Sequence, residues 1–539
     1  MADDGNLGLL RSERLRPWWV SRTRGARIAL LWGGAALLAG AEVVSLAAGL
    51  HPALPFVVAF LLFVALRPFP GAVFAATVFF APLGLWLLGV QRLVGDAFGG
   101  HDYVLSLSAS VVCCTLLLVT LIRRRPTQRQ LTVAVVAAAI FAIWIPIGVA
   151  HHGVSQTLVG VRLMVLPVVM LVVVLGLSVR ELHLLISVTA WLVIANAVAA
   201  VAEYIIGPTR LLAYGFEPDR AIRYIGSTFR APGLTEVNAA LGLLCGAYLL
   251  GYAALWLVRD LRPNRLLWHV AGGAAAVGLV LSTSRTGALL LVGGMVVAIV
   301  LNRGGGPAAR KRARWIGVAV VAVVLGGFAA LGVTGSTSTF ERFTIWGRLL
   351  RSGAPWYGNG MGSVGAATNS RASSSAQVFV DNYFVSVSLQ LGIPVLVTVL
   401  ALVCWGLYRL SRGSSRHPEY AVHLAVLAGL ASGCVMIEVW EYATAMLCLV
   451  TFVAFAVRAG SLSGPPETGP DGDEPGSEVL AETVRLQPGA AAETVRLQLD
   501  LSGETVVMNR PGIDDTVILN KPGPFPDRDT RKHPERYRR

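Results

Sequence analysis

Apolar runs of about twenty residues recur along most of this chain, and they leave it few folds to choose from. In hydrocarbon every backbone N–H and C=O must be satisfied internally, so such runs become helices or closed barrels. Runs of about twenty residues, rather than about ten, select helices. We read about fourteen spans, at 28–49, 52–66, 71–90, 103–122, 131–150, 157–178, 182–206, 236–257, 266–282, 286–302, 315–333, 383–408, 420–437 and 441–457. The composition agrees: 55% hydrophobic, 14% charged and a mean hydropathy of +0.64 give too little polar surface for a soluble chain of 539 residues. The expected fold class is therefore all-α, a polytopic integral membrane helix bundle of about 12 to 14 transmembrane helices. A large extracytoplasmic loop and a disordered cytoplasmic C-terminal tail complete it.

Arginine clusters orient the bundle. A basic N-terminus over 1–27 carries Arg11, Arg14, Arg16, Arg22, Arg24 and Arg27. The run that follows is too long for a signal-peptide core and reads as a first span. With that terminus inside, alternate loops hold Arg67, Arg123–Arg125, Arg180, Arg259 with Arg262 and Arg265, Arg310–Arg312, and Arg409 with Arg412. All fall on the cytoplasmic side, as the positive-inside rule requires. The protein is thus expected to be multi-pass in the cytoplasmic membrane, residues 28–458, with both termini cytoplasmic. The net charge of +14 serves this orientation; no nucleic-acid module is recognisable, and none is expected as a partner. Lys311, Lys521 and Lys532 are the only lysines among 45 basic residues, which fits a GC-rich genome. Six cysteines, Cys113, Cys114, Cys245, Cys404, Cys434 and Cys448, all lie in predicted spans, without disulfide or zinc spacing. They read as small packing residues.

Five arginines escape that logic. Arg162, Arg223, Arg230, Arg285 and Arg342 fall on the opposite side, at or just inside the bilayer edge, where a cation is costly unless an anion offsets it. The anion we expect at that depth is the diphosphate of a lipid-linked sugar. Two long outer loops, about 207–235 and 334–382, surround these positions. Ordered loops of that length are usually functional, a mobile surface connection being the alternative.

Within LSTSRTGALLL, Arg285 stands where a helix begins, with Ser284 beside it, and helix-start amides plus a guanidinium make an anion site. Arg162 in VGVRLMVLPVVM is either part of such a site or a snorkelling side chain. RYIGSTFRAPGLTEVNAALGLL brings Arg223, Arg230, Glu236 and Asn238 to the mouth of another span, Glu236 being either a base or a partner for its own helix dipole. Arg342 lies on an amphipathic stretch, followed by the glycine turn GNGMG, which matches no phosphate loop. Asp381 and Asn382 open the next span, with Asp381 either an N-cap or a carboxylate able to deprotonate a sugar hydroxyl.

Together these segments resemble the O-antigen ligase and polymerase superfamily of bacterial membrane glycosyltransferases. The resemblance covers roughly 130–410 and is strongest in LSTSRTGALLL and ERFTIWGR…GNGMGS…DNYFVSVSLQLGIP. It implies that Arg285 is the motif arginine, Arg162 the arginine of a middle span and Arg342 the arginine opening the large loop. Asp381–Asn382 takes the place of a His-Asn or Asp-Asn pair. Ligases acting on lipid A core commonly have histidine where this chain has Asp381, which favours a polymerase or a ligase with another acceptor. The implied partners are a polyprenyl-diphosphate-linked oligosaccharide donor, an acceptor glycan or glycolipid, and the membrane, with no cofactor and no metal. Asp381 is the expected base, with Glu236 behind it. Arg162, Arg285, Arg230, Arg223 and Arg342 hold the diphosphate, supported by Ser284, Asn382 and Asn238. A lipid-linked glycan flippase or exporter is the competing reading, although it calls for a polar path through the midplane that these spans lack.

From 459 to 539 the composition turns to Gly, Pro and acidic residues, which cannot bury a core. ETVRLQ at 482 and 493, ETVVMN at 504 and DTVILN at 515 repeat every eleven residues. Pro488, Gly503 and Pro511 oppose a helical coil, while a short β-rich repeat is one alternative. The preferred reading is a multisite phosphothreonine tail, with Thr483, Thr494, Thr505 and Thr516 as acceptors. Its partners would be a Ser/Thr kinase and a forkhead-associated reader.

Overall fold

The computed structural model describes residues 128–462 apart from 178, 215–221, 226–227, 236, 305–306, 331–337, 352–354 and 371–379, together with 505–508 and 517–520 of the tail. The spans predicted at 28–49, 52–66, 71–90 and 103–122 lie outside the described residues. What is described is 81% helical with almost no sheet, so the helical class holds.

In chain order the helices are α1 (Gln128–His152), α2 (Val154–Leu175), α3 (Val179–Ile206), the short α4 (Pro208–Ala213), α5 (Asn238–Leu257), α6 (Leu266–Ser282), α7 (Arg285–Leu301), α8 (Pro307–Ala330), α9 (Ser338–Arg351), α10 (Tyr383–Leu391), α11 (Ile393–Gly413), α12 (Tyr420–Cys434) and α13 (Ala443–Leu462). A hairpin of β1 (Arg223–Ile225) and β2 (Thr228–Arg230) stands before α5. Among the described residues, five segments are long and apolar enough to cross a membrane: Val154–Leu175, Glu181–Ile206, Asn238–Leu257, Ile393–Gly413 and Ala443–Gly460. Helices α6, α7 and α12 are equally apolar but shorter.

The axis is α5, which packs against α6, α7, α12 and α13. Its Gly242 and Gly246 face the start of α7, where Gly287 lies backbone to backbone against them; a Cβ at Gly246 would overlap Gly287. Small residues spaced four apart let two helices approach this closely, replacing a hydrophobic drive that lipid cannot supply. Farther along, α7 meets α12 at Gly294 and Gly429, with Leu290 over Gly433. Those pairs fix directions: α5 and α7 run parallel, α12 antiparallel to both. Phe452 of α13 closes on Gly251 and Tyr248. Cys245, Cys434 and Cys448 are buried packing residues, whereas Cys404 is exposed.

Two expected elements differ. The single span 383–408 is broken at Gly392 (φ 88°) into a buried α10 and an exposed α11. The cause is the glycine turn, which inserts there: Ile393 N donates to Trp356 O at 2.9 Å, and Asn359 N and Gly360 N donate to the last carbonyls of α10 at 2.8 and 3.0 Å. The two long connections also carry structure, α4 and the β1–β2 hairpin in the first, α9 in the second.

In the tail, a separate unit from Thr468 onward, the third and fourth repeats supply β3 (Thr505–Met508) and β4 (Val517–Asn520). They pair antiparallel, Thr505 opposite Asn520 and Met508 opposite Val517. β-branched residues suit these two segments to an extended, paired backbone.

Candidate functional site

The turn between α6 and α7 is closed by its own hydroxyls. Ser282 Oγ donates to Leu279 O at 2.8 Å and accepts from Ser284 N at 3.3 Å. Ser284 caps α7, its Oγ accepting from Gly287 N at 3.3 Å, so Arg285 is the first helical residue. Between them Thr283 takes a left-handed backbone (φ 48°), costly for a β-branched residue. Its Oγ1 is buried without a hydrogen-bond partner among the described residues. Arg285 itself is half-buried.

Arg230 reaches this turn from β2. In the amide orientation that its donors require, Asn238 accepts from Nη2 and Nε of Arg230 at 2.5 and 2.7 Å, and Nε also reaches Ser282 O at 3.4 Å. Arg223 stands opposite Arg230 in the hairpin register, exposed. Two buried polar residues of α3 hold the chain that leads from the hairpin into α5. Glu203 Oε2 accepts from Gly233 N at 2.8 Å and Asn196 Oδ1 from Leu234 N at 3.1 Å.

A second polar centre forms where 435–442 connects α12 to α13. Trp440 Nε1 donates to Met164 O at 3.0 Å, and its ring stacks on Tyr383 at 6.2 Å. That docking puts Glu441 where it acts through space on Arg162, half-buried on α2. Glu438 is buried beside Ser386, under the influence of Glu441 and Asp381. Burial above all, then Glu441, pushes the Glu438 carboxyl up, the Ser386 hydrogen bond pulls it back and Asp381 adds a smaller upward push, for a net value of about 9. Asp381 is half-buried, and the cap of α10 is Asn382 instead, its Oδ1 accepting from Phe384 N at 2.9 Å and Val385 N at 3.2 Å. Among the described residues no three of His, Cys, Asp and Glu are grouped to hold a metal ion.

The glycine turn supports this centre. Trp144 Nε1 donates to Tyr357 O at 2.7 Å, and His152 Nε2 lies 3.1 Å from Asn359 O. Gln156 Nε2 donates to Gly362 O at 2.5 Å, and Gly362 N donates to Gln390 Oε1 at 2.8 Å. Gly358, Gly360 and Gly362 all have φ between 84° and 88°, and Gly360 presses on the backbone of Gly148. Only glycine combines that backbone with that approach. GNGMG is thus a buried joint between α1, α2 and α10.

Helix directions put both centres at one end of the bundle. The starts of α5 and α7, the ends of α6 and α12 and the start of α13 meet there, as their packing pairs require. The bond from Trp440 to Met164 brings the Arg162 stretch of α2 to the same end, and Asp381 arrives through its action on Glu438. Of the residues predicted from sequence, Arg162, Arg230, Arg285, Ser284, Asn238, Asp381 and Asn382 therefore share one end. The Arg342 side chain, Glu236, Thr483, Thr494, Thr516 and the Thr505 side chain lie outside the described residues. Sequence reasoning passed over Glu438, Glu441, Thr283, Asn196, Glu203 and Gln390. One signal was available: two glutamates within VMIEVWEYA, flanked by apolar spans, are costly there and mark function by default. Compared with known proteins, the chain matches no protein-family model and no curated relative.

Proposed function

We propose that this chain is a membrane glycosyltransferase, polymerase-like rather than ligase-like. It moves or polymerises glycan from a polyprenyl-diphosphate-linked donor onto an acceptor hydroxyl at the outer face of the cytoplasmic membrane. One observation carries the reading: Arg162, Arg230 and Arg285 gather with Asp381 at a single end of an apolar bundle. In the transfer, charge builds on the departing diphosphate as its bond to the anomeric carbon breaks. Fixed guanidinium groups and the amides opening α7 stabilise that charge more strongly in a site shielded from water. Asp381 takes the proton of the attacking hydroxyl. A single displacement of this kind inverts the anomeric centre.

The test uses the purified full chain in liposomes containing lipid-linked oligosaccharide. Release of polyprenyl diphosphate with growth of the glycan supports transfer; movement of the intact lipid across the bilayer without release supports the exporter reading instead. For the tail, phosphoproteomics under kinase-active conditions is expected to find Thr483, Thr494, Thr505 and Thr516 modified. Four unmodified threonines would count against that role.

A further inference from the structure

The connection between α12 and α13 buries a carboxyl that the transfer reading leaves unused. Glu438 is 8% exposed, and its Oε1 is sealed from solvent without a hydrogen-bond partner among the described residues. A buried oxygen in that state is destabilising unless another group completes its hydrogen bonding. Gly365 packs directly against the carboxyl, since a Cβ there would stand 2.8 Å from Oε1 and 2.9 Å from Oε2. The carboxyl is also aimed. Gly362 N holds Gln390 Oε1, Gln390 Nε2 donates to Ser386 Oγ at 2.9 Å, and the Ser386 hydroxyl proton is left for Glu438.

We infer that Glu438 and Asp381 form a two-carboxyl acceptor site, in which Oε1 of Glu438 holds the attacking sugar hydroxyl while Asp381 receives its proton. This rests on the transfer reading and deepens it. The hydroxyl oxygen bonds to the anomeric carbon and the bond from that carbon to the diphosphate oxygen breaks. The electron pair leaves with the diphosphate, and the proton goes to Asp381. Burial among other carboxylates keeps one proton in this centre before the reaction. It resides on Glu438, which is faced by Glu441 on its own segment, Asp381 and Tyr383 at the start of α10, and Cys434 at the end of α12, with Arg162 of α2 balancing Glu441. Glu438 then donates or accepts as a neutral acid, and Asp381 takes the proton of the attacking hydroxyl. Ser386 and Gln390 are positioning residues.

Infrared difference spectra of the full chain against Glu438→Gln test the proton directly. A buried carboxylic-acid carbonyl band is expected at neutral pH, absent from the variant and titrating away near about 9. Absence of that band at neutral pH overturns the inference. Ser386→Ala removes a bond that favours the charged form, so the band should persist to higher pH; an unmoved titration overturns the positioning. In liposomes, with oligosaccharide released from the same lipid by mild acid as acceptor, Glu438→Ala should raise the acceptor KM about tenfold. An unchanged KM overturns the acceptor role. Should the wild type release no polyprenyl diphosphate at all, the transfer reading falls and the acceptor role with it, whereas the infrared band still decides whether the carboxyl pair exists.

Discussion

The two polar centres at the shared end of the bundle are built by opposite rules. The arginine turn is mostly local: Ser282, Thr283, Ser284 and Arg285 are consecutive, and the serines satisfy the backbone around them. Arg230 and Asn238 come to it from elsewhere in the chain. The carboxyl centre is assembled from α2, the glycine turn, α10 and the 435–442 connection, and it keeps one buried oxygen unpaired. A local motif holds fixed donors ready for an anion. Each centre keeps one buried oxygen unpaired among the described residues, Thr283 Oγ1 in the turn and Glu438 Oε1 in the pocket, so what separates them is that one is built along the sequence and the other across it.

The sharpest way to break this comparison is at the arginine turn. Arg285→Ala is expected to cut release of polyprenyl diphosphate by roughly 10²–10³-fold, with an unchanged melting temperature in detergent. Arg285→Lys should recover only part of the loss, because an ammonium keeps the charge but not the planar fork. Wild-type turnover in the alanine variant would remove the turn from the site.

The carboxyl centre should instead depend on distant packing. Gly360→Val forces a β-branched residue to φ 88° against the Gly148 backbone. It should destabilise the protein by about 2–4 kcal/mol, measured by thermal unfolding in detergent. A stable Gly360→Val protein would show that the glycine turn does not hold α1, α2 and α10 together. Asn238→Ala removes a buried acceptor of Arg230 and should cost about 1–3 kcal/mol by the same measurement. A loss confined to activity would assign Asn238 to substrate rather than to the hairpin.

The smallest effect is a slope. Glu438 binds its proton more tightly folded than unfolded, so its contribution to stability is fully present below the unfolded value of 4.5 and is lost as pH rises through about 9. The wild-type melting temperature should therefore decline across that window, and Glu438→Gln should flatten the decline. An equal slope in the variant would place the titration on another group.

Much of the helical layout was legible. Predicted spans at 182–206, 266–282 and 286–302 fall on α3, α6 and α7, because apolar runs bounded by Ser, Arg or Asn signal their own ends. The turn at Arg285 was legible for the same reason. Glu438 was not, since nothing local reveals that Gly365 and Ser386 close around it. The role of the glycine turn was not legible either, because its meaning lies in partners such as Trp144, Gln156 and Gln390, far away in sequence.

The same division runs through the apolar helices. Asn238–Leu257 and Ile393–Gly413 have nearly equal hydropathy, 1.8 and 2.0, yet 83% of the first is buried inside the protein and none of the second. Hydropathy settles that a segment leaves water, and the sequence alone determined that much, together with helix ends and the arginine turn. Which segment becomes the axis was decided by tertiary structure. In lipid the choice rests on shape, on Gly242 and Gly246 meeting Gly287, and not on any difference in apolar character.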